Sequence, residues 1–104
     1  MKIRTLSVSL AAGALLAAGT ALAALPTVEG PDSYAKPGQV RTSIKGMQDT
    51  LADNAEGNWK AQRGVGICED AARRLRDYVT SQAYTAELGE KLWNECHKAY
   101  TAVE

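Results

Sequence analysis

The sequence of 104 residues has no phenylalanine, a single histidine, His97, and only two cysteines. One histidine leaves little basis for a serine–histidine–acid set, and no paired-carboxylate spacing or glycine-rich nucleotide loop is present. We therefore expect no enzyme and no catalytic residues. A cysteine/histidine zinc site takes four protein ligands, or three and a water, and no ligand spacing of that kind surrounds His97. The sequence accordingly predicts neither a metal site nor a resident cofactor.

An excess of charge of either sign is also missing. The chain has twelve basic and twelve acidic residues, and residues 1–23 contain two of the basic and none of the acidic ones. The remainder, with ten basic and twelve acidic residues, carries a formal net charge of −2. Proteins that bind nucleic acid or membrane surfaces typically concentrate positive charge. We expect neither nucleic acid nor a membrane surface as a partner.

Residues 1–23, MKIRTLSVSLAAGALLAAGTALA, have the pattern of a secretory signal peptide. Lys2 and Arg4 precede an Ala/Leu-rich run, and residues 21–23 fit an A-x-A cleavage site. Cleavage there predicts a periplasmic or secreted protein. The alternative is an uncleaved membrane anchor, because the apolar run over residues 5–25 approaches the roughly 20 residues that span a bilayer.

Residues 24–38, ALPTVEGPDSYAKPG, contain all three prolines of the chain. Proline fixes φ and lacks an N–H group, so this composition opposes regular structure. We predict a flexible tail here, followed by a helical domain over residues 39–104.

Three segments of that domain repeat apolar residues at helical spacing. The first helix has the stripe Val40, Ile44, Met47 and Leu51. The second, over about residues 67–81, has the apolar face Cys68, Ala71, Ala72, Leu75, Tyr78 and Val79. The third runs to about Val103, with Thr85 as its N-cap and the stripe Leu88, Leu92, Cys96, Ala99 and Val103. The sequence predicts an all-α protein, a small three-helix bundle.

The segment GNWKAQRGVG, residues 57–66, separates the first two helices. Three glycines in ten residues predict a connector. Because so large a ring rarely stays in water, we expect Trp59 to fold back from this connector onto the core.

Cys68 and Cys96 are placed symmetrically about the turn between the last two helices. A short turn makes these helices antiparallel neighbours, and the midpoint between the cysteines is residue 82, inside the predicted turn. Residues equidistant from the turn lie opposite one another. Export would also place the cysteines in an oxidising compartment. We predict a structural Cys68–Cys96 disulfide that links the antiparallel helical hairpin.

No motif identifies a function, so the expected role is the one typical of small exported helical domains. This is a non-catalytic protein-binding module of the cell envelope, such as an inhibitor, an immunity factor, a chaperone-like protein or an accessory subunit. Its partner would be another envelope or secreted protein. The candidate contact residues are aromatics near helix ends and one basic cluster, which Glu69, Asp70 and Asp77 interleave. They are Trp59, Arg73, Arg74, Arg76, Tyr84 and Trp93.

Two alternatives remain at this stage. The stretch IKGMQDTLADNAE resembles the start of exported four-helix cytochromes of the b type, which implies a haem carrier with Met47 and His97 as iron ligands. The chain lacks a C-x-x-C-H motif, and three helices are predicted instead of four. More broadly, this alternative covers carriers of a metal or small ligand. The other is a membrane-tethered accessory subunit that keeps its N-terminal segment.

Overall fold

A computed structural model describes residues 25–103, and the predicted signal peptide lies outside them. Within this range the chain forms three α-helices and no strand: α1, Pro37–Asp53; α2, Trp59–Thr80; and α3, Ala86–Thr101. Each helix packs against both of the others. The all-α, three-helix prediction is confirmed. None of these helices has the length and apolar character needed to cross a membrane.

Helix α1 buries the predicted stripe. Val40, Ile44, Met47 and Leu51 are all fully buried. The helix begins at Pro37, two residues before the predicted start, because the first turn of a helix tolerates a residue without an N–H group. These four buried residues are four, three and four positions apart, and this helical spacing correctly predicted the buried face of α1.

Helix α2 begins at Trp59, so most of the predicted connector is helical. Asn58 is the N-cap, and its side chain accepts a hydrogen bond from the Ala61 backbone N–H at 3.1 Å. Gly64 lies where α2 approaches α1, since a Cβ atom there would be 3.0 Å from Leu51 Cδ1. The connector prediction was wrong because this glycine allows close helix packing and does not end the helix.

The hairpin of α2 and α3 has the predicted turn and disulfide. Residues 81–85 join the helices, and Thr85 caps α3 by accepting a hydrogen bond from the Leu88 N–H at 3.1 Å. The Cys68–Cys96 disulfide links the two helices, with both residues fully buried. Because Cys68 lies in the first half of α2 and Cys96 in the last half of α3, the helices are antiparallel.

Residues 25–36, here called the N-terminal strap, have no regular secondary structure but pack against the bundle. This placement differs from the free tail that the prolines predicted. Leu25, Val28 and Tyr34 are partly buried on the core, and their apolar surface explains the packing.

Hydrogen bonds from α3 and the turn before it also hold the strap. Tyr100 donates its hydroxyl to the Pro26 carbonyl at 2.5 Å, and Tyr84 donates to the carbonyl of Tyr34. Burial raises the pKa of both Tyr84 and Tyr100. These hydroxyls therefore stay protonated, as donors, at neutral pH.

Candidate functional site

The six predicted contact residues lie in three different environments. Trp93 and Tyr84 are inside the contact between the strap and the bundle. Arg73, Arg74 and Arg76 lie on α2 outside its buried core stripe. Trp59 stands alone at the start of α2. The structure therefore does not bring the six together into one surface.

Trp93 is a structural residue. It is only 6% exposed, and its indole Nε1 donates a hydrogen bond to Ser43 Oγ at 2.8 Å. Ser43 in turn donates to the Glu29 carbonyl of the strap at 3.4 Å. The Trp93 ring packs edge-on against Tyr34, with centroids 6.2 Å apart, and stacks on His97 at 4.4 Å. These contacts leave little of Trp93 for a partner.

Tyr84 is committed to the fold in the same way. Its hydroxyl lies over Gly89, where an added Cβ atom would come within 1.9 Å of it. The side chain is only partly exposed, and its hydroxyl is bonded to the strap. We therefore assign Tyr84 to strap docking and no longer to a contact surface.

The residues of the carrier alternatives also have structural surroundings. Met47 is fully buried in the core, and His97 is half-buried against the Trp93 ring. Residues 25–103 contain no group of three or more histidine, cysteine or acidic side chains arranged to hold a metal ion.

The arginine cluster of α2 is divided between two directions. Arg74 points to α3, where it donates to Glu95 Oε1 at 2.8 Å, and it also donates to Asp70 Oδ2 of its own helix at 3.5 Å. Partial burial lowers the pKa of the Arg74 guanidinium, but the bonds to Glu95 and Asp70 outweigh this and raise it overall. Arg73 donates to the other oxygen of Asp70. Arg74 therefore helps to join α2 to α3.

Arg73 and Arg76 point the other way, into a groove between α1 and α2 of about 900 Å³. Arg41 and Lys45 of α1 also line it, but so do the carboxylates of Glu69 and Asp70. In addition, Lys45 is paired with Asp49 at 3.0 Å. Lys45, Arg73 and Arg76 are thus each paired with a carboxylate of their own helix, so much of the positive charge of this groove is compensated within the fold.

Trp59 lies at the edge of a second groove, which is more apolar. The indole is 64% exposed, and this contradicts the prediction that it folds onto the core. Trp59 is the first residue of α2 and lies at the end of the bundle. The N-cap hydrogen bond of the helix comes from Asn58, so Trp59 has no part in it. The groove has a volume of about 390 Å³ and runs between the first half of α2 and the last half of α3. Its apolar floor is formed by Gly64, Ile67, Ala99 and Ala102.

This second groove is called the Trp59 groove below. The side chains at its rim are predominantly basic. Lys60, Arg63 and Lys98 line it, and none of them forms an ion pair within residues 25–103. Lys60 Nζ lies 5.9 Å from the centroid of the Trp59 ring. The one acidic side chain of the groove, Glu95, already accepts from Arg74. Among residues 25–103, the groove therefore combines an exposed aromatic ring, an apolar floor and positive charge that no ion pair compensates.

Sequence reasoning found Trp59 but missed the rest of the groove. The reason is that Lys60 and Arg63 were assigned to the connector. One signal could have found them: Ala61, Gly64 and Cys68 continue the core stripe of α2 backwards at spacings of three and four, and all are buried.

Comparison of the chain with models of protein families, with curated proteins and with solved structures finds no match in any of the three. The geometry of the Trp59 groove is therefore the main basis for the functional proposal.

Proposed function

We propose that this chain is a small exported protein-binding module of the cell envelope, without catalytic activity, that contacts its partner through the Trp59 groove. It would act as an inhibitor, immunity factor, chaperone-like protein or accessory subunit of another exported protein. The observation that supports this most directly is the exposure of Trp59 beside an apolar groove.

Because Trp59 remains mostly in solvent, the fold does not gain the stabilisation that its burial would supply. Full burial of a large apolar side chain stabilises a protein by about 1.5–3 kcal/mol. Within residues 25–103, the exposed large apolar side chains are Trp59, at 64%, and Val79, at 43%. Tryptophan is also among the residues most enriched where binding energy concentrates in protein interfaces. A surface that a partner covers accounts for both points.

The location of the protein supports an exported partner. The Cys68–Cys96 disulfide indicates a non-cytoplasmic, oxidising environment, because cytoplasmic thiols are normally kept reduced. We further propose that residues 1–23 are a signal peptide that is removed on export, most simply to the periplasm.

Intact mass, measured under native and denaturing conditions, tests this proposal. The protein is purified from its own host without reductant. The denatured mass should match a chain that starts at Ala24 and should be two hydrogens lower than the mass of its reduced form. The native mass should include a second polypeptide. Bound haem, metal or small molecule in place of a polypeptide would overturn the proposal and direct mutagenesis to Met47 and His97. An N-terminus that is intact and recovered in the membrane fraction would favour the tethered subunit.

A further inference from the structure

We propose that the Trp59 groove binds an amphipathic helix of the partner that carries acidic residues beside its apolar face. This inference rests on the proposed function and specifies the chemistry of the partner. It depends on the charge of the rim, the shape of the floor and the position of the tryptophan, which are taken in turn.

The rim favours a negatively charged partner. Three of its four charged side chains are cationic, and the fourth, Glu95, already accepts a hydrogen bond from Arg74 at 2.8 Å. Within the described part of the chain, Lys60, Arg63 and Lys98 have no carboxylate partner of their own. Carboxylates on an incoming segment would complete these pairs, which mainly speeds association and fixes orientation.

The floor favours a helix. Ala99 in α3 and Ala102, the residue that caps its C-terminus, have small side chains, so another backbone can approach the groove closely. The groove follows two antiparallel helices, and this elongated shape matches the apolar stripe of a third. A volume of about 390 Å³ is at the lower end of the usual range for ligand pockets, so it holds a few apolar side chains and no large ligand.

Trp59 and Ile67 mark where the apolar contact would be made. Trp59 stands at the open edge with most of its ring in solvent, and Ile67 lies two helical turns further along α2. An incoming helix with apolar residues at positions i, i+4 and i+7 could cover both. The carboxylates on either side of that stripe would then meet the basic rim.

The probe is a pair of synthetic helical peptides with the same apolar stripe. One has glutamates on both flanks of the stripe, and the other has lysines at the same positions. Binding to the full-length mature protein is measured by calorimetry and by a shift in tryptophan emission, since Trp59 would move from water into an apolar contact. We expect the acidic peptide to bind about tenfold more tightly than the basic one at low salt, from three exposed ion pairs. This preference should shrink to roughly threefold or less in about 1 M salt, where charges are screened within about 3 Å.

Two variants with matched charge changes locate the effect. Lys60→Gln/Arg63→Gln/Lys98→Gln should remove the preference for the acidic peptide. Arg41→Gln/Lys45→Gln/Arg76→Gln changes the net charge equally on the other groove and should leave the preference intact. Equal binding of both peptides, no binding of either, or a loss of preference only in the second variant would overturn the inference.

The same variants separate this inference from the function on which it rests. Suppose that Trp59→Ala abolishes binding of the natural partner, whereas the Lys60→Gln/Arg63→Gln/Lys98→Gln variant binds it as tightly as wild type. The partner-binding function then stands, and the acidic helix is refuted. If neither variant affects the natural partner, both proposals fail. A fatty acid that binds the groove while the acidic peptide does not would also refute the helix.

Discussion

Loss of the Cys68–Cys96 disulfide should remove much of the stability of this domain. The two cysteines are 28 residues apart, and the chain-entropy relation gives about 3.5 kcal/mol for a loop of this length. Domains of this size are stable by only about 5–15 kcal/mol, so the loss is large. At about 4–8 °C per kcal/mol, the melting temperature should fall by roughly 14–28 °C.

Reduction of the wild-type protein is the cleanest form of this perturbation, because it keeps both buried sulfur atoms in place. Urea unfolding followed by circular dichroism gives the free energy of unfolding with and without reductant. Cys68→Ala, Cys96→Ala and the double variant are measured alongside. All three lose the same bond, so they should fall within about 1.5 kcal/mol of the reduced protein, allowing for the small cavities.

The double variant separates the crosslink from other roles of the cysteines. If the disulfide acts only as a crosslink, a second substitution should add little to the first. A difference of less than about 1 kcal/mol between the free energies of unfolding of the oxidised and reduced proteins would refute the stabilising role of the disulfide. A purely structural role would also be refuted if the folded variants lost partner binding, because that would give the sulfur atoms a functional role.

Three further predictions concern the strap and the two tryptophans. Gly89→Ala should lower the free energy of unfolding in urea by about 1–3 kcal/mol, because the new methyl group collides with the Tyr84 hydroxyl. Burial raises the pKa of Tyr84 and Tyr100 above the ordinary value of about 10. The two protonated hydroxyls therefore stabilise the fold fully below about pH 10, and this stabilisation is lost as the pH rises through their pKa values in the folded protein. The urea midpoint should therefore fall in alkaline solution, and less steeply in Tyr84→Phe; equal slopes would contradict this. By thermal unfolding, Trp93→Ala should cost about 3–5 kcal/mol and Trp59→Ala less than about 0.5 kcal/mol, whereas equal losses would contradict the burial difference.

The core and the disulfide could be predicted because they depend on local spacing. Val40, Ile44, Met47 and Leu51 all became buried, as a helical stripe requires. The disulfide followed from symmetry about residue 82, and that residue indeed lies in the turn, with a φ of 61°. Both features need only the periodicity of a helix and the direction of a hairpin.

The start of α2 could not be read from composition. Glycines 57, 64 and 66 suggested a connector, but they have different roles. Gly57 precedes the helix with a φ of 69°, a value that suits glycine, whereas Gly64 allows α2 to approach Leu51. The number of glycines does not distinguish these roles, whereas the buried stripe of Ala61, Gly64 and Cys68 at spacings of three and four does.

The strap was misjudged for a similar reason. Prolines correctly indicated the lack of regular structure, but they carry no information on whether a segment packs on the rest of the chain. The bonds that hold the strap join residues far apart: Tyr100 to Pro26, and Tyr84 to the carbonyl of Tyr34. The same strap contacts occupy the Tyr84 hydroxyl and one edge of the Trp93 ring, which sequence spacing does not indicate.

Calorimetric titration of the purified partner with three forms of the protein measures what Trp59 contributes to binding. The forms are the wild type, Trp59→Ala, and Val79→Ala as a control that removes exposed apolar surface outside the groove. Trp59→Ala should weaken binding about 30-fold or more, as expected for a tryptophan that supplies much of the binding energy, while Val79→Ala should change it less than about threefold. Equal affinities for the wild type and Trp59→Ala would show that the partner binds elsewhere.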